Sequence, residues 1–345
     1  MRVILAVILA GFGAVFAAAS SARADDYPEH EIHSIVNFQP GSPMDILTRW
    51  YGARLSELAG KPVVVENKLG AQGAIATDYV ARSKPDGYTI MITPASATLA
   101  EVAFIFKRIG FDPVKHFDPV LLIAKSGLVV AVDAKNPVNT IAELTDALRK
   151  KPGNGAYGTI ANAGVVAAEL YKAKTKLLTN RVLYNGIYEN LLDLYDGQTD
   201  FATLDPAAAF EPLRAGKLKA LAVTSAARLG ALPNVPTMQE SGLANYDLTP
   251  WVGLVVPTGT PPPIIDKLAA WHRQISATDD AKKALLAFGM DPLEGDAAAM
   301  AALLKRDIAR WAGFVMTCVE YRNGLQILQK VPAWPSSLPP LNPSP

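Results

Sequence analysis

The sequence predicts an α/β protein of two lobes, each a sheet with helices on its faces, and three observations predict it. Apolar strand-like runs alternate with amphipathic helical runs. Loops rich in Gly, Ser, Thr or Asn join each strand to the helix behind it, the mark of βα units and of parallel pairing. Two stretches break the rhythm: "LLIAKSGLVVAVDA", where Val120–Ala124 and Leu128–Val132 are β-rich with no helix between them, and "WVGLVVP", Trp251 to Pro257. They read as the chain crossing to a second lobe and returning, so the first lobe is discontinuous. A chain of 345 residues also exceeds what one hydrophobic core normally serves.

The elements follow in order. Residues 1–24 read as a signal peptide: Arg2 supplies a positive start, an apolar run rich in small residues follows, and Ala22-Arg23-Ala24 offers a small-x-small cleavage site. The apolar run is short for a membrane anchor, and the absence of cysteine within it argues against a lipoprotein. The first βα unit is "HSIVNF", the loop "QPGSPM" and a helix from Asp45 to Ala59 with Gly60 as its stop. The second is "PVVVEN", "KLGAQG" and Ala74 to Ser83; the third is "YTIMIT", "PASAT" and a short helix.

After the crossing, "TIAELTDALRKK" is a helix, "GAYGTI" a strand and "VVAAELYKAKT" a helix. "RVLYN", "GIYENLLDLYDG", "TDFATLD", "PAAAFEPLRAG" and "LKALAVTS" continue the alternation. Three helices follow the return, in "PPPIIDKLAAWHRQISA", "AKKALLAFG" and "AAMAALLKRDIARWAGFV". Lobe 1 is expected to comprise residues 25–127 and 251–319, and lobe 2 residues 128–250. Residues 320–345 form a proline-rich tail, expected to be disordered.

Composition excludes several classes. Removing the leader with its two arginines turns the formal net charge from +1 to −1, which leaves no electrostatic footprint for nucleic acid or an anionic membrane. The single cysteine, Cys318, rules out an internal disulfide, so an exported chain must be held by its core. Among His30, His33, His116 and His272 no pair has zinc-ligand spacing, and they read as surface residues. No triad, carboxylate pair or dinucleotide fingerprint is present. No catalytic residue, metal or cofactor is expected.

The chemistry rests on the strand-to-helix junctions. Ser42-Pro43-Met44-Asp45 matches a capping box with proline at the first helical position. At the carboxyl end of a parallel strand the same helix start also favours an anion, through unpaired amides and the helix dipole. The sequence is neither G-x-S-x-G nor a phosphate loop. Gly70-Ala71-Gln72-Gly73 repeats the argument at a second junction, and Thr93 and Ser96 offer hydroxyls at a third. The second lobe offers Thr159, Ala161, Asn162 and Gly164, then Tyr184-Asn185-Gly186. Asp205 either caps the helix behind it or accepts a hydrogen bond from a ligand.

Taken together, "YPEHEIHSIVNFQPGSPMD", "PVVVENKLGAQGAIATDYVARSKPDGYTIMI", "FDPVKHFDPVLLIA", "GKLKALAVTSAARLGALPNVPTMQESGL" and "WVGLVVPTGTPPPIIDKL" resemble the Bug-type periplasmic receptors of tripartite tricarboxylate transporters, from Tyr27 to about Val315. The resemblance implies a periplasmic binding protein (Venus flytrap) fold, with two parallel or mixed sheets and two crossover strands. It implies an exported monomer that captures a small organic acid between its lobes and delivers it to membrane permease subunits, or alternatively presents it to a membrane sensor. An enzyme on the same scaffold is a further alternative. The positions matching the family's binding loops are Phe38, Pro40, Gly41, Ser42 and Asp45; Gly70, Ala71 and Gly73; Thr159, Ala161 and Asn162; Tyr184, Asn185 and Gly186; and Asp205. The chain departs from the family at Ser42-Pro43-Met44, at the apolar "ANAGVVAAEL", and at Ile187 and Tyr188. These departures suggest a site with fewer polar partners and more apolar wall, suited to a longer or aromatic carboxylate.

Overall fold

The computed structural model of the chain describes residues 26–101, 110–151, 153, 155–160, 162–184, 186–311 and 313. The leader and the proline-rich tail read from the sequence lie outside the described residues. The strands are β1 (Ile32–Val36), β2 (Val63–Asn67), β3 (Thr89–Thr93), β4 (Phe117–Lys125), β5 (Val129–Asp133), β6 (Ala156–Thr159), β7 (Asn180–Leu183), β8 (Phe201–Leu204), β9 (Leu218–Val223), β10 (Trp251–Pro257) and β11 (Asp291–Pro292). The helices are α1 (Pro43–Ala59), α2 (Ala74–Ala81), α3 (Ile141–Arg149), α4 (Asn162–Thr175), α5 (Ile187–Tyr195), α6 (Pro206–Arg214), α7 (Pro262–Ser276), α8 (Asp279–Ala287) and α9, over 297–311. α1 begins two residues before the sequence reading, because proline is at home in a first helical turn, and Gly60 ends it in the left-handed conformation.

The strands form two mixed sheets flanked by helices, in the orders β11-β4-β10-β3-β1-β2 and β7-β6-β8-β5-β9. The βα units pair in parallel, β1 with β2 and β3, and β6 with β7 and β8. β10 runs antiparallel to β3 and β4, and β5 antiparallel to β8 and β9. These two are the strands that open each sheet after a crossing. A chain arriving from the other lobe enters at the edge where the βα strands end, so it must run against them.

Each sheet carries an apolar cluster on both faces. That is why β10, central in its sheet, is buried at all seven positions. Each of its large side chains contributes about 1.5–3 kcal/mol through burial. One sequence reading fails here. His272 is not a surface residue: it is fully buried, its ring stacked on Tyr51 and its Nδ1 2.9 Å from the Leu268 carbonyl. It replaces an apolar residue on the inner face of α7, and desolvation lowers its pKa to about 4.

Candidate functional site

The three junctions of the first sheet lie side by side, because β3, β1 and β2 are neighbours and run in parallel. Side chains tie them into one network. Ser42 caps α1, its Oγ accepting the Asp45 N–H at 3.3 Å. The Asp45 carboxylate accepts from the Gly41 N–H at 2.9 Å, from Asn67 Nδ2 at 2.7 Å and from Arg49 Nε at 3.0 Å. Burial alone would raise the Asp45 pKa. Hydrogen bonds from Arg49, Asn67 and Gly41, with the Arg49 charge, outweigh that and hold it at about 2. The Ser42 N–H is turned back to the Gln39 carbonyl. The amides of Gly41 and Ser42, expected to be open to an anion, are therefore already bonded within the loop. Phe38 packs against the core below α1, and its carbonyl accepts from Asn67 at 2.9 Å. Pro40 is exposed.

The second junction is built differently. Gly70, Ala71 and Gly73 all have positive φ, at 119°, 44° and 93°. Ala71 holds there at a cost that isolated alanine would avoid. No side chain caps either the 3₁₀ turn Ala71–Gly73 or α2 behind it. Gly73 is buried, and a Cβ on it would collide with the amide of Asn37 and press on Thr98. At the third junction Thr93 is buried, bonded to Asn37 at 3.3 Å and Thr98 at 2.8 Å, so its hydroxyl ties the third junction to the first. Ser96 is also buried, its Oγ accepting from the Trp251 N–H at 3.1 Å. Both hydroxyls are engaged by protein groups.

On the second sheet α4, α5 and α6 start at the ends of β6, β7 and β8. Thr159 ends β6 fully buried, and its carbonyl accepts from the Tyr184 N–H at 2.9 Å. Ala161 and Asn185 lie outside the described residues, while Asn162 opens α4. The Tyr184 hydroxyl donates to Asp193 at 2.6 Å, away from the junction. Desolvation first, then that carboxylate, raises its pKa. Gly186 is the N-cap of α5 and Asp205 the N-cap of α6, and neither helix has a side-chain cap. The capping reading of Asp205 is thus half right: its backbone takes the N-cap position while its carboxylate bonds no amide of the helix. The residue as a whole is exposed, while desolvation raises the pKa of its carboxylate. Tyr188, in the first turn of α5, is 80% exposed.

The two sets of junctions face each other. Ala163, Val166 and Ala167 of α4 pack in the same cluster as Ala95 and Leu99 of the third junction. Gly289, after α8, sits so close to Pro206 and Phe210 that a Cβ would clash with both. The helices behind β6 and β8 therefore touch the first lobe with their N-terminal turns. A hollow of about 640 Å³ lies elsewhere, beside the N-terminal end of β3, lined by His33, Asp78, Arg82 and Tyr88 among others. It runs along α2, and Ile75 in the first turn of that helix is the one lining residue that borders the second junction. Asn37 and Asn67, which join the lobe-1 loops, were missed as site residues. "VVVEN" and "IVNF" each put an asparagine at a strand end, a position that favours side-chain bonding to loop backbone.

Two mixed α/β sheets flanked by helices, with the strand-end loops of one turned toward those of the other, define the Venus-flytrap class of solute-binding protein. The chain belongs to the tripartite tricarboxylate transporter family receptors, whose model matches residues 47–318. It is 31% identical to Protein BugT of Bordetella pertussis over 90% of this chain and 96% of that one. Among solved structures it resembles Rpa4515 of R. palustris with adipate (32% identity, TM-score 0.75, 85% of this chain and 98% of that one). It also resembles MatC of Rhodopseudomonas palustris with bound malate (27%, TM-score 0.71, 84% and 100%) and the periplasmic binding protein BugD (28%, TM-score 0.71, 85% and 98%). The family is made of solute receptors; the chain is a binding protein and not an enzyme.

Proposed function

We propose that the chain is exported to the periplasm through residues 1–24, works there as a monomer, captures a small organic carboxylate between lobe 1 (25–127 and 251–319) and lobe 2 (128–250), and passes it to the membrane permease of a tripartite tricarboxylate-type transporter. One observation carries the reading. Of the helices that begin at the strand-end junctions, α1 is capped by Ser42, whereas α2, α5 and α6 have no side-chain cap; away from the junctions α3 and α8 are capped by Thr140 and Thr278, and α7, also uncapped, opens on prolines that carry no N–H. A helix start leaves several amides without intrahelical partners. Where the chain supplies no acceptor, a ligand carboxylate fits, favoured by the helix dipole.

No lysine or arginine is needed at such a site. The second loop, the first turn of α5 and the first turn of α6 would then hold the acid from both lobes. Asp205 would accept from a hydroxyl or amide donor on the ligand. The adipate and malate in two similar structures support a dicarboxylate, and the exposed Tyr188 beside Gly186 supports one with an apolar body. Closure follows if the acid contacts both lobes better when they are shut.

A thermal-shift screen of mono-, di- and tricarboxylates, aliphatic and aromatic, tests the reading. A bound acid at about a hundred times its Kd stabilises the fold by about 2.7 kcal/mol. A panel without any concentration-dependent stabilisation contradicts it.

A further inference from the structure

The crossing between the lobes carries a charged cluster that the ligand site does not use. The two crossing segments run together: the Ser126 N–H donates to the Pro250 carbonyl, and Thr224 bridges the Leu128 N–H and the Leu248 carbonyl. Against them lies the last turn of α9. Arg310 donates to the Asp247 carbonyl and sits 3.0 Å from the Asp247 carboxylate, which belongs to the segment leaving the second lobe. On its other side Arg310 lies 3.4 Å from Asp307, with Arg306 at 3.3 Å. Asp307 is buried and accepts from Trp251 Nε1 at 2.6 Å, while the Trp251 N–H donates to Ser96. Ser96, Asp247, Asp307 and Arg310 border a small recess of about 30 Å³ whose walls are mostly apolar, Leu248, Pro250 and Trp311 among them.

We infer that Arg310 is a positioning residue of the hinge: by joining Asp247 of the crossing segment to Asp307 of α9, it sets the angle at which the lobes rest before any ligand arrives. Three features support this. The guanidinium offers several donors in a fixed plane, suited to two carboxylates and a carbonyl at once. The pair is only partly exposed, at 26% and 28% of side-chain surface, so solvent screens it less than the outer ion pairs. Finally, the cluster reaches the third junction through Trp251 and Ser96, so a change of hinge angle and a change at the strand ends are mechanically joined.

The inference rests on the hinged-receptor class but not on which acid is bound, and its test uses the ligand-free full chain. Spin labels at Glu57→Cys and Lys150→Cys, exposed on different lobes, in a Cys318→Ser background, report the inter-lobe distance distribution. Arg310→Gln is expected to shift and broaden that distribution with an unchanged circular dichroism spectrum. Asp247→Asn, which keeps the backbone acceptor, is expected to do so to a smaller extent, and the double variant no more than Arg310→Gln. Arg228→Gln, at an outer ion pair with Glu240, leaves it unchanged. A wild-type distribution in both Arg310→Gln and Asp247→Asn overturns the proposal, as does strict additivity in the double variant. Should Arg310→Gln fail to fold, Asp247→Asn alone decides.

Discussion

The first and second junctions of lobe 1 stand next to each other at the ends of neighbouring strands, and they differ in that only the first brings a carboxylate of its own to its backbone amides. The first closes on itself: Ser42 and Asp45 take up the N–H groups of Asp45 and Gly41, and Asn67 and Arg49 hold the carboxylate in place. The second has no acidic residue in its first turn and no side-chain cap, and turns through Gly70, Ala71 and Gly73 at positive φ; its Gly73 and Ala74 N–H groups go to the Gly70 and Ala71 carbonyls, and the Thr77 hydroxyl donates to the Gly73 carbonyl. The difference teaches that a helix start at the mouth of a sheet is not by itself an anion site. What matters is whether the protein has already filled the place an anion would occupy. In this chain Asp45 is the resident anion of the first junction, and the incoming one is left to the second junction and to α5 and α6.

Mutations at the first junction should injure the fold, and those at the second the binding. The largest expected effect is Asp45→Ala, which strips the acceptor from Gly41, Asn67 and Arg49 and should cost about 3–5 kcal/mol in urea denaturation. A loss under about 1 kcal/mol would mean that water replaces the carboxylate and that the first junction is as open as the second.

Acid titration separates the same regions in another way. His272, with a folded pKa lowered to about 4, contributes stability that is present above its unfolded value near 6.5 and lost as pH falls toward 4. Asp45, lowered to about 2, contributes stability that is present above pH 4 and lost between about 4 and 2. Stability measured against pH should therefore fall in two stages, each about 2–3 kcal/mol deep. Asp45→Asn should remove only the lower stage and His272→Phe only the upper.

Gly73→Val comes next. A side chain there strains a backbone at φ 93° and collides with Asn37, for about 1–3 kcal/mol of stability, and it should abolish carboxylate binding in a titration. Ser42→Ala should cost about 1 kcal/mol as a lost cap while leaving ligand affinity within twofold, since the Ser42 hydroxyl is occupied by Asp45. The smallest effect on stability belongs to Asp205→Asn, which breaks no cap bond and should leave the melting temperature unchanged or slightly higher. Its effect should appear in affinity for acids that carry a hydroxyl or amide donor.

Much of the fold was legible because period and punctuation agree along the chain. Gly60, Ser42-Pro43 and the all-apolar "WVGLVVP" each state their structure locally. The mixed pairing was not legible, since strand direction depends on where the chain re-enters a sheet. At the site, the positions of the junctions could be read, but the occupancy of their amides could not. That depends on Asn67 and Asp45 meeting across 22 residues of sequence. His272 was misread because a lone histidine on an apolar helix face gives no sign in sequence of the tyrosine stacked upon it. The hydroxyls of Thr93 and Ser96 were read as candidates for the ligand site; their bonds to Asn37 and Trp251 could not be read beside them, because those partners become neighbours only when the sheet assembles.

The most direct measurement is a crystal structure of the chain with the acid that stabilises it most. The account predicts a carboxylate whose oxygens lie within hydrogen-bonding distance of backbone N–H groups of Gly70, Ala71 or Gln72 and of the first turn of α5 or α6, with the Asp45 contacts to Gly41 and Asn67 intact. A carboxylate held instead by a lysine or arginine side chain, or one that displaces Asp45 from the first junction, would contradict it.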